Sequence, residues 1–106
     1  MKWVKDLLLS ESVVRHKSKY RWKINNGFKT KGVYVITLPL GDKNQLEFFD
    51  SKQLSNKYYP KDDLVVVGMC MGEYEAIELI NDFTQRVWNE TGEVNLRDYV
   101  MEHLAG

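Results

Sequence analysis

Disulfides, metal clusters and membrane spans have almost no raw material in this chain. Cys70 is its one cysteine, so no internal disulfide can form, and no Cys-x-x-Cys or paired-histidine spacing offers a structural zinc site. Long apolar runs are missing as well. The amino end holds only Leu7-Leu8-Leu9, with Lys2, Lys5 and Asp6 just before it. A secretory signal needs about 7–15 uninterrupted apolar residues, and a membrane span needs about 20. These absences make the cytoplasm the expected compartment. Internal repeats and low-complexity tracts are also lacking. Length sets a further bound: 106 residues is one domain's worth, and 43% hydrophobic with 12% aromatic residues suffices for one core. A domain of this size hides roughly two thirds of its unfolded surface, which argues against deep cavities and large cofactors.

Net charge is zero, but the charges are unevenly placed. Residues 1–31 hold nine basic groups (Lys2, Lys5, Arg15, Lys17, Lys19, Arg21, Lys23, Lys29 and Lys31) against Asp6 and Glu11, for a net +7. The remainder holds six basic and thirteen acidic groups, for a net −7. Such asymmetry is expected to mean that the two segments face each other or occupy separate solvated faces, with an anionic partner for the basic end as the alternative.

Hydrophobic spacing gives the expected elements. Trp3, Val4, Leu7 and Leu8 fall at helical intervals and predict a short amphipathic helix over residues 2–9. Lys17, Lys19, Arg21 and Lys23 alternate with Ser18, Tyr20, Trp22 and Ile24. That alternation predicts a strand with one basic face and one mostly aromatic face. Asn25-Asn26-Gly27 then reads as a hairpin turn into a return strand over residues 28–38, bulged at Gly32. Pro39 ends that strand, Gly41-Asp42 supplies another turn, and residues 45–49 read as a third strand. Residues 50–63 form a polar connection. Leu64-Val65-Val66-Val67 predicts a central strand buried on both faces. Ala76, Ile77, Leu79, Ile80, Phe83, Thr84 and Val87 then define a helix over residues 73–90, stopped at Thr91-Gly92. Asn95 caps a last helix over residues 96–104, with Asp98 in the capping-box position.

Two patterns offer chemistry. Gly68-Met69-Cys70-Met71-Gly72 follows a hydrophobic strand and opens a helix, a context that resembles the nucleophile elbow of α/β-hydrolases and the cysteine turn of glutamine amidotransferases. There a helix amino terminus lowers the thiol pKa. Against it stand the short tail of 34 residues after Gly72, the absence of a motif around His103 or His16 as partner base, and the acids Glu73 and Glu75, which oppose thiolate formation. The competing reading of Cys70 is a buried sulfur between two core methionines. The glycines do not form a phosphate loop, since no Gly-Lys-Ser/Thr follows. His103 near the last turn fits a surface residue favoured by the helix dipole. Lys61-Asp62-Asp63 reads as a turn and lacks the alternating oxygen ligands of a calcium loop.

The second pattern is the basic segment. Lys17, Lys19, Arg21 and Lys23 can neutralise phosphates, and Tyr20, Trp22 or Phe28 can stack on bases if exposed. On a strand, however, alternation places the aromatics opposite the lysines, which disfavours a nucleic-acid site and suits a strand whose aromatic face packs inward.

From Tyr58-Tyr59-Pro60-Lys61-Asp62-Asp63 through Leu64-Val65-Val66-Val67-Gly68-Met69, Glu75-Ala76-Ile77-Glu78-Leu79 and Thr91-Gly92 to Tyr99, the chain resembles small uncharacterised bacterial proteins of unknown function. This stretch, residues 58–99, is about two fifths of the sequence, and the resemblance implies no activity. The expected architecture is one α+β domain over residues 1–106. It has a mainly antiparallel four-stranded meander sheet, a short amino-terminal helix and two carboxy-terminal helices, the longer packed on one face. The expected function is a non-enzymatic binding or protein–protein interaction module that takes a protein partner or self-associates, a homodimer being one form, with no cofactor, metal or membrane. The alternatives are a thiol enzyme using Cys70 with His103, and a nucleic-acid binder using residues 17–23, of which Lys17, Lys19, Arg21 and Lys23 are the anion-binding candidates.

Overall fold

The computed structural model of the protein describes residues 1–40 and 45–105, so the turn read at Gly41-Asp42 lies outside the described residues. The fold is α+β and centres on a four-stranded sheet in the order β1-β4-β2-β3. These strands are β1 (Lys2–Leu9), β2 (Val33–Leu38), β3 (Glu47–Asp50) and β4 (Val65–Met71). Two short helices, α1 (Glu11–Val14) and α2 (Lys17–Asn25), follow β1, and a 3-10 helix (Ser51–Ser55) follows β3. The long helix α3 (Gly72–Thr91) leaves β4 directly, and α4 (Leu96–Tyr99) runs into a π-helical turn (Val100–Leu104).

The apolar run read as a central strand is one. β4 lies between β1 and β2, and Val66, Val67, Met69 and Cys70 are all fully buried. Both of its faces are covered. Val66 and Met69 pack with Val33, Val35, Val13 of α1, Ile24 of α2 and Leu54 of the 3-10 helix. Val67 joins Ile36, Leu38, Phe83 and Val87 of α3, and Leu96, Tyr99, Val100 and Leu104 of the carboxy-terminal turns. The sheet is therefore the middle of three layers. The long helix packs on one face as expected, and the other face, left bare in the sequence reading, is covered by α1, α2 and the 3-10 helix.

The sheet is not a meander. β2 pairs antiparallel with β3 and β4, but β1 pairs parallel with β4, which is inserted between β1 and β2. Residues 2–9 thus form an edge strand, not a helix. The register explains the misleading spacing: Trp3 faces Val66 and Leu8 faces Gly68, so β1 bulges strongly between these points. That bulge breaks the period of two and leaves apolar residues at intervals that imitate a helical stripe. Gly68 is the counterpart of the bulge. A Cβ there would press on the Leu8 carbonyl oxygen and come within 2.9 Å of Leu8 Cβ.

Residues 17–24 change in the opposite sense, from expected strand to helix α2. Lys and Arg are good helix formers, and Tyr20 and Ile24, four apart, are the side chains this helix turns inward. Asn25-Asn26-Gly27 ends the helix and does not turn a hairpin. Gly27 takes the left-handed conformation (φ 75°), its N–H donates to Ile24 O at 3.2 Å, and the Phe28 N–H donates to Lys23 O at 2.9 Å. This pair of bonds is a Schellman stop. The return strand is accordingly short, starting at Val33, and its irregularity lies between Ile36 and Thr37, not at Gly32. Further on, Gly92 ends α3, and the Asn95 side chain accepts from the Asp98 N–H at 3.1 Å, both as read from the sequence. Among the described residues, no helix is long and apolar enough to cross a membrane.

Candidate functional site

Cys70 sits inside β4, hydrogen-bonded across to β2 beside Tyr34, and not on a turn. The sharp bend comes two residues later at Gly72, the only position of Gly68-Met69-Cys70-Met71-Gly72 with positive φ. The sulfur is fully buried, with its one polar contact, to Gly72 O, at 3.7 Å. Burial pushes the thiol up to about 12, and the nearby Glu75 carboxylate adds to the rise. Neutral pH therefore finds it protonated and out of solvent. Glu75 is itself committed to structure. Its carboxylate accepts the Met71 N–H at 2.8 Å and the Ser12 hydroxyl at 2.7 Å, and these bonds hold its pKa below the usual carboxylate value. His103 lies in the terminal turn, its ring tilted at 37° against Tyr99 with 4.4 Å between ring centres, and 3.9 Å from Glu102. His16 precedes α2 and faces the edge of Tyr20. The geometry brings neither imidazole to Cys70. Among the described residues, no group of three His, Cys, Asp or Glu side chains gathers where a metal could bind.

The basic segment forms a different kind of site. Lys2 and Lys5 project from the edge strand β1, and α2 lies alongside it. The Trp3 indole N–H donates to Asn25 Oδ1 at 2.7 Å, and the Arg21 guanidinium lies 5.3 Å from the Trp3 ring centre. Between strand and helix runs an open cleft of about 280 Å³ lined by Lys5, Asp6, Leu7, Leu9, Lys17, Ser18 and Arg21. Three cations and one carboxylate leave that cleft positive.

A helix turns about 100° per residue, so Lys17 and Arg21 share one flank of α2 and Lys19 and Lys23 share the other. Ile24 points inward, which puts Trp22 on the outer crest between the two rows. Trp22 is 59% exposed and Phe28 55% exposed, and their rings stack at 5.5 Å with an 18° interplanar angle. The Schellman stop explains the stack, since it folds the residue after Gly27 back onto the last helical turn, where an apolar contact commonly accompanies the two backbone bonds. Asn26 reinforces the turn by donating its side-chain amide to Trp22 O at 2.7 Å.

None of the nine basic groups of residues 1–31 makes an ion pair among the described residues. Five of the balancing acids, Glu73, Glu75, Glu78, Asp82 and Glu90, ride on α3, which packs on the other face of the sheet from α2; Glu75 at its start reaches the Ser12 hydroxyl of α1, and Asp62 borders a cleft with Arg21 and Trp3. The four residues singled out in the sequence, Lys17, Lys19, Arg21 and Lys23, thus do come together on one element. The sequence names its aromatic centre, Trp22 with Phe28, as able to stack if exposed, but a strand would turn it away from the lysines, and the helix does not. The available signal was Asn-Gly read as a helix stop after a run of good helix formers.

No family model, curated protein or solved structure matches the chain.

Proposed function

We propose that this chain is a non-enzymatic binding module that holds an anionic macromolecule against the face formed by β1 and α2. The observation that carries this reading is the cluster of cations without ion pairs: nine basic groups in residues 1–31, none of them ion-paired among the described residues, with five of the balancing acids on α3. A surface of one sign raises the local concentration of a partner of the other sign and speeds its approach. Cys70, buried and held protonated, supports no competing thiol chemistry at neutral pH. An acidic protein surface, including the α3 side of a second copy, would satisfy the same charges, so a protein–protein module and a polyanion binder share this face.

Heparin serves as a test polyanion. The protein is expected to bind it at low salt and to lose affinity steeply as salt rises, because each neutralised anionic group releases a counterion. The variant carrying Lys17→Gln, Lys19→Gln, Arg21→Gln and Lys23→Gln, which keeps good helix formers in α2, should lose most of that binding with its circular dichroism unchanged. No heparin binding at low salt, or equal binding by this variant, would overturn the proposal.

A further inference from the structure

We infer that the partner of the basic face is a single-stranded nucleic acid, with Trp22 and Phe28 as the platform on which its bases stack. This rests on the binding-module reading and adds what charge alone does not supply, a reason to distinguish one polyanion from another.

Large aromatic side chains left half in water need a physical account. Trp22 and Phe28 contribute little to either buried cluster, since neither belongs to the cores that close over the sheet. Their mutual stack covers one face of each ring and leaves more than half of each side chain in solvent. The platform is also held in place before any ligand arrives. Backbone bonds from Gly27 and Phe28 close the end of α2, and the Asn26 amide ties the same turn to Trp22 O. A surface that does not have to be ordered on binding keeps more of its interaction energy as affinity.

Charge and ring are placed as a single-strand site requires. Unpaired bases offer π-faces to aromatic side chains while cations follow the backbone, and such stacking tolerates any base. Lys19 and Lys23 flank the ring on one side of the helix and Lys17 and Arg21 on the other, with Lys29 immediately after Phe28 and the Lys5 cleft beyond. A strand crossing α2 can therefore lay a base on the outer aromatic face and place phosphates on both sides of it. A duplex cannot use the ring in this way, because its bases are already stacked and paired. An acidic peptide meets the charges but has no flat ring to offer the platform unless its sequence supplies one.

Fluorescence anisotropy with a short oligothymidylate, a duplex of equal length, and poly-glutamate tests this. The oligothymidylate should bind about tenfold tighter than the duplex or poly-glutamate, since stacking one base corresponds to roughly 5- to 150-fold in affinity. With about four phosphates neutralised, raising salt from about 50 to about 200 mM should cost about 50-fold. Trp22→Ala should weaken the oligothymidylate by about tenfold and leave the duplex unchanged, as stacking serves only unpaired bases. Lys19→Gln with Lys23→Gln should weaken both alike, which separates charge from stacking even if one variant is less stable. Equal affinity for single strand and duplex, equal loss for both in Trp22→Ala, or poly-glutamate binding as tightly as the oligonucleotide would each overturn the inference while leaving the binding-module reading standing. Failure to bind heparin, oligonucleotide and poly-glutamate alike would remove both.

Discussion

At Cys70 a single atom couples the strand to pH. The sulfur is buried in β4 with its pKa pushed up to about 12, first by loss of water and then by the Glu75 charge at the start of α3. In the unfolded chain the same thiol ionises near 9.0. Below that value both states hold the proton and stability is independent of it. As pH climbs from 9.0 toward about 12, the unfolded chain gives up its proton first, so unfolding becomes easier. Cys70→Ala lacks this titration. The stability of the natural chain minus that of Cys70→Ala should be constant near neutrality, then fall by about 1 kcal/mol by about pH 10. Urea unfolding of both proteins across this range measures it, and a difference that stays flat would mean that the thiol is already ionisable in the native protein. Other alkaline groups cancel in the comparison because both chains carry them.

Among the elements, those buried on a plain periodic pattern were legible in the sequence: β4 from its β-branched run, α3 from its apolar stripe, and the ends of α3 and α4 from Gly92 and Asn95. The two elements read with the wrong period, β1 and α2, are also the ones with least regular burial. In β1 the bulge between Trp3 and Leu8 resets the alternation partway along the strand, information that resides in its partner β4 and not in its own residues. In α2 only Ile24 is fully buried, so the alternating lysines and aromatics record no inward face of either period. The charged half of the candidate site survived this error because its residues are the same on strand or helix. Its aromatic half did not, because facing depends on period. Gly68 shows how much of β1 is decided across the sheet. Gly68→Ala would set a methyl against the Leu8 backbone, and crowding of that kind costs about 1–3 kcal/mol. Gly27→Ala meets open space and carries only the strain of a positive φ, about 1 kcal/mol. Denaturant midpoints should therefore rank Gly68→Ala as the less stable variant, with amide exchange in residues 2–9 accelerated beyond that of β2. Equal midpoints would contradict the close approach of β1 to β4.

For the molecule as a whole, the sheet separates two layers that differ in both charge and anchorage. The acidic layer is fixed by Ala76, Phe83 and Val87 of α3 and by Leu96, Tyr99, Val100 and Leu104, with the Tyr99 hydroxyl bonded to Glu90 and reached by Arg86 Nε at 3.3 Å. The basic layer is held by Val13, Ile24 and Leu54, and its nine-residue helix α2 contributes only the middle one of these. A helix that short is marginal in water without tertiary support, and like charges along α2 weaken it further. Native proteins open locally wherever buried contacts are few, at a free energy below that of global unfolding. Hydrogen exchange should accordingly find the amides of Tyr20 to Asn25 exchanging at least tenfold faster than those of Val66, Val67 or Phe83, through an opening insensitive to low denaturant. An anionic ligand that neutralises the lysine rows removes the repulsion and binds only the closed helix, so exchange in α2 should slow in proportion to occupancy. Exchange in α3, across the sheet, should be unchanged until the global limit moves. Protection of α2 equal to that of β4 in the free protein, or slowing by heparin spread evenly over α2 and α3, would place the basic face in the same cooperative unit as the core and count against a separate, infrequent opening of α2.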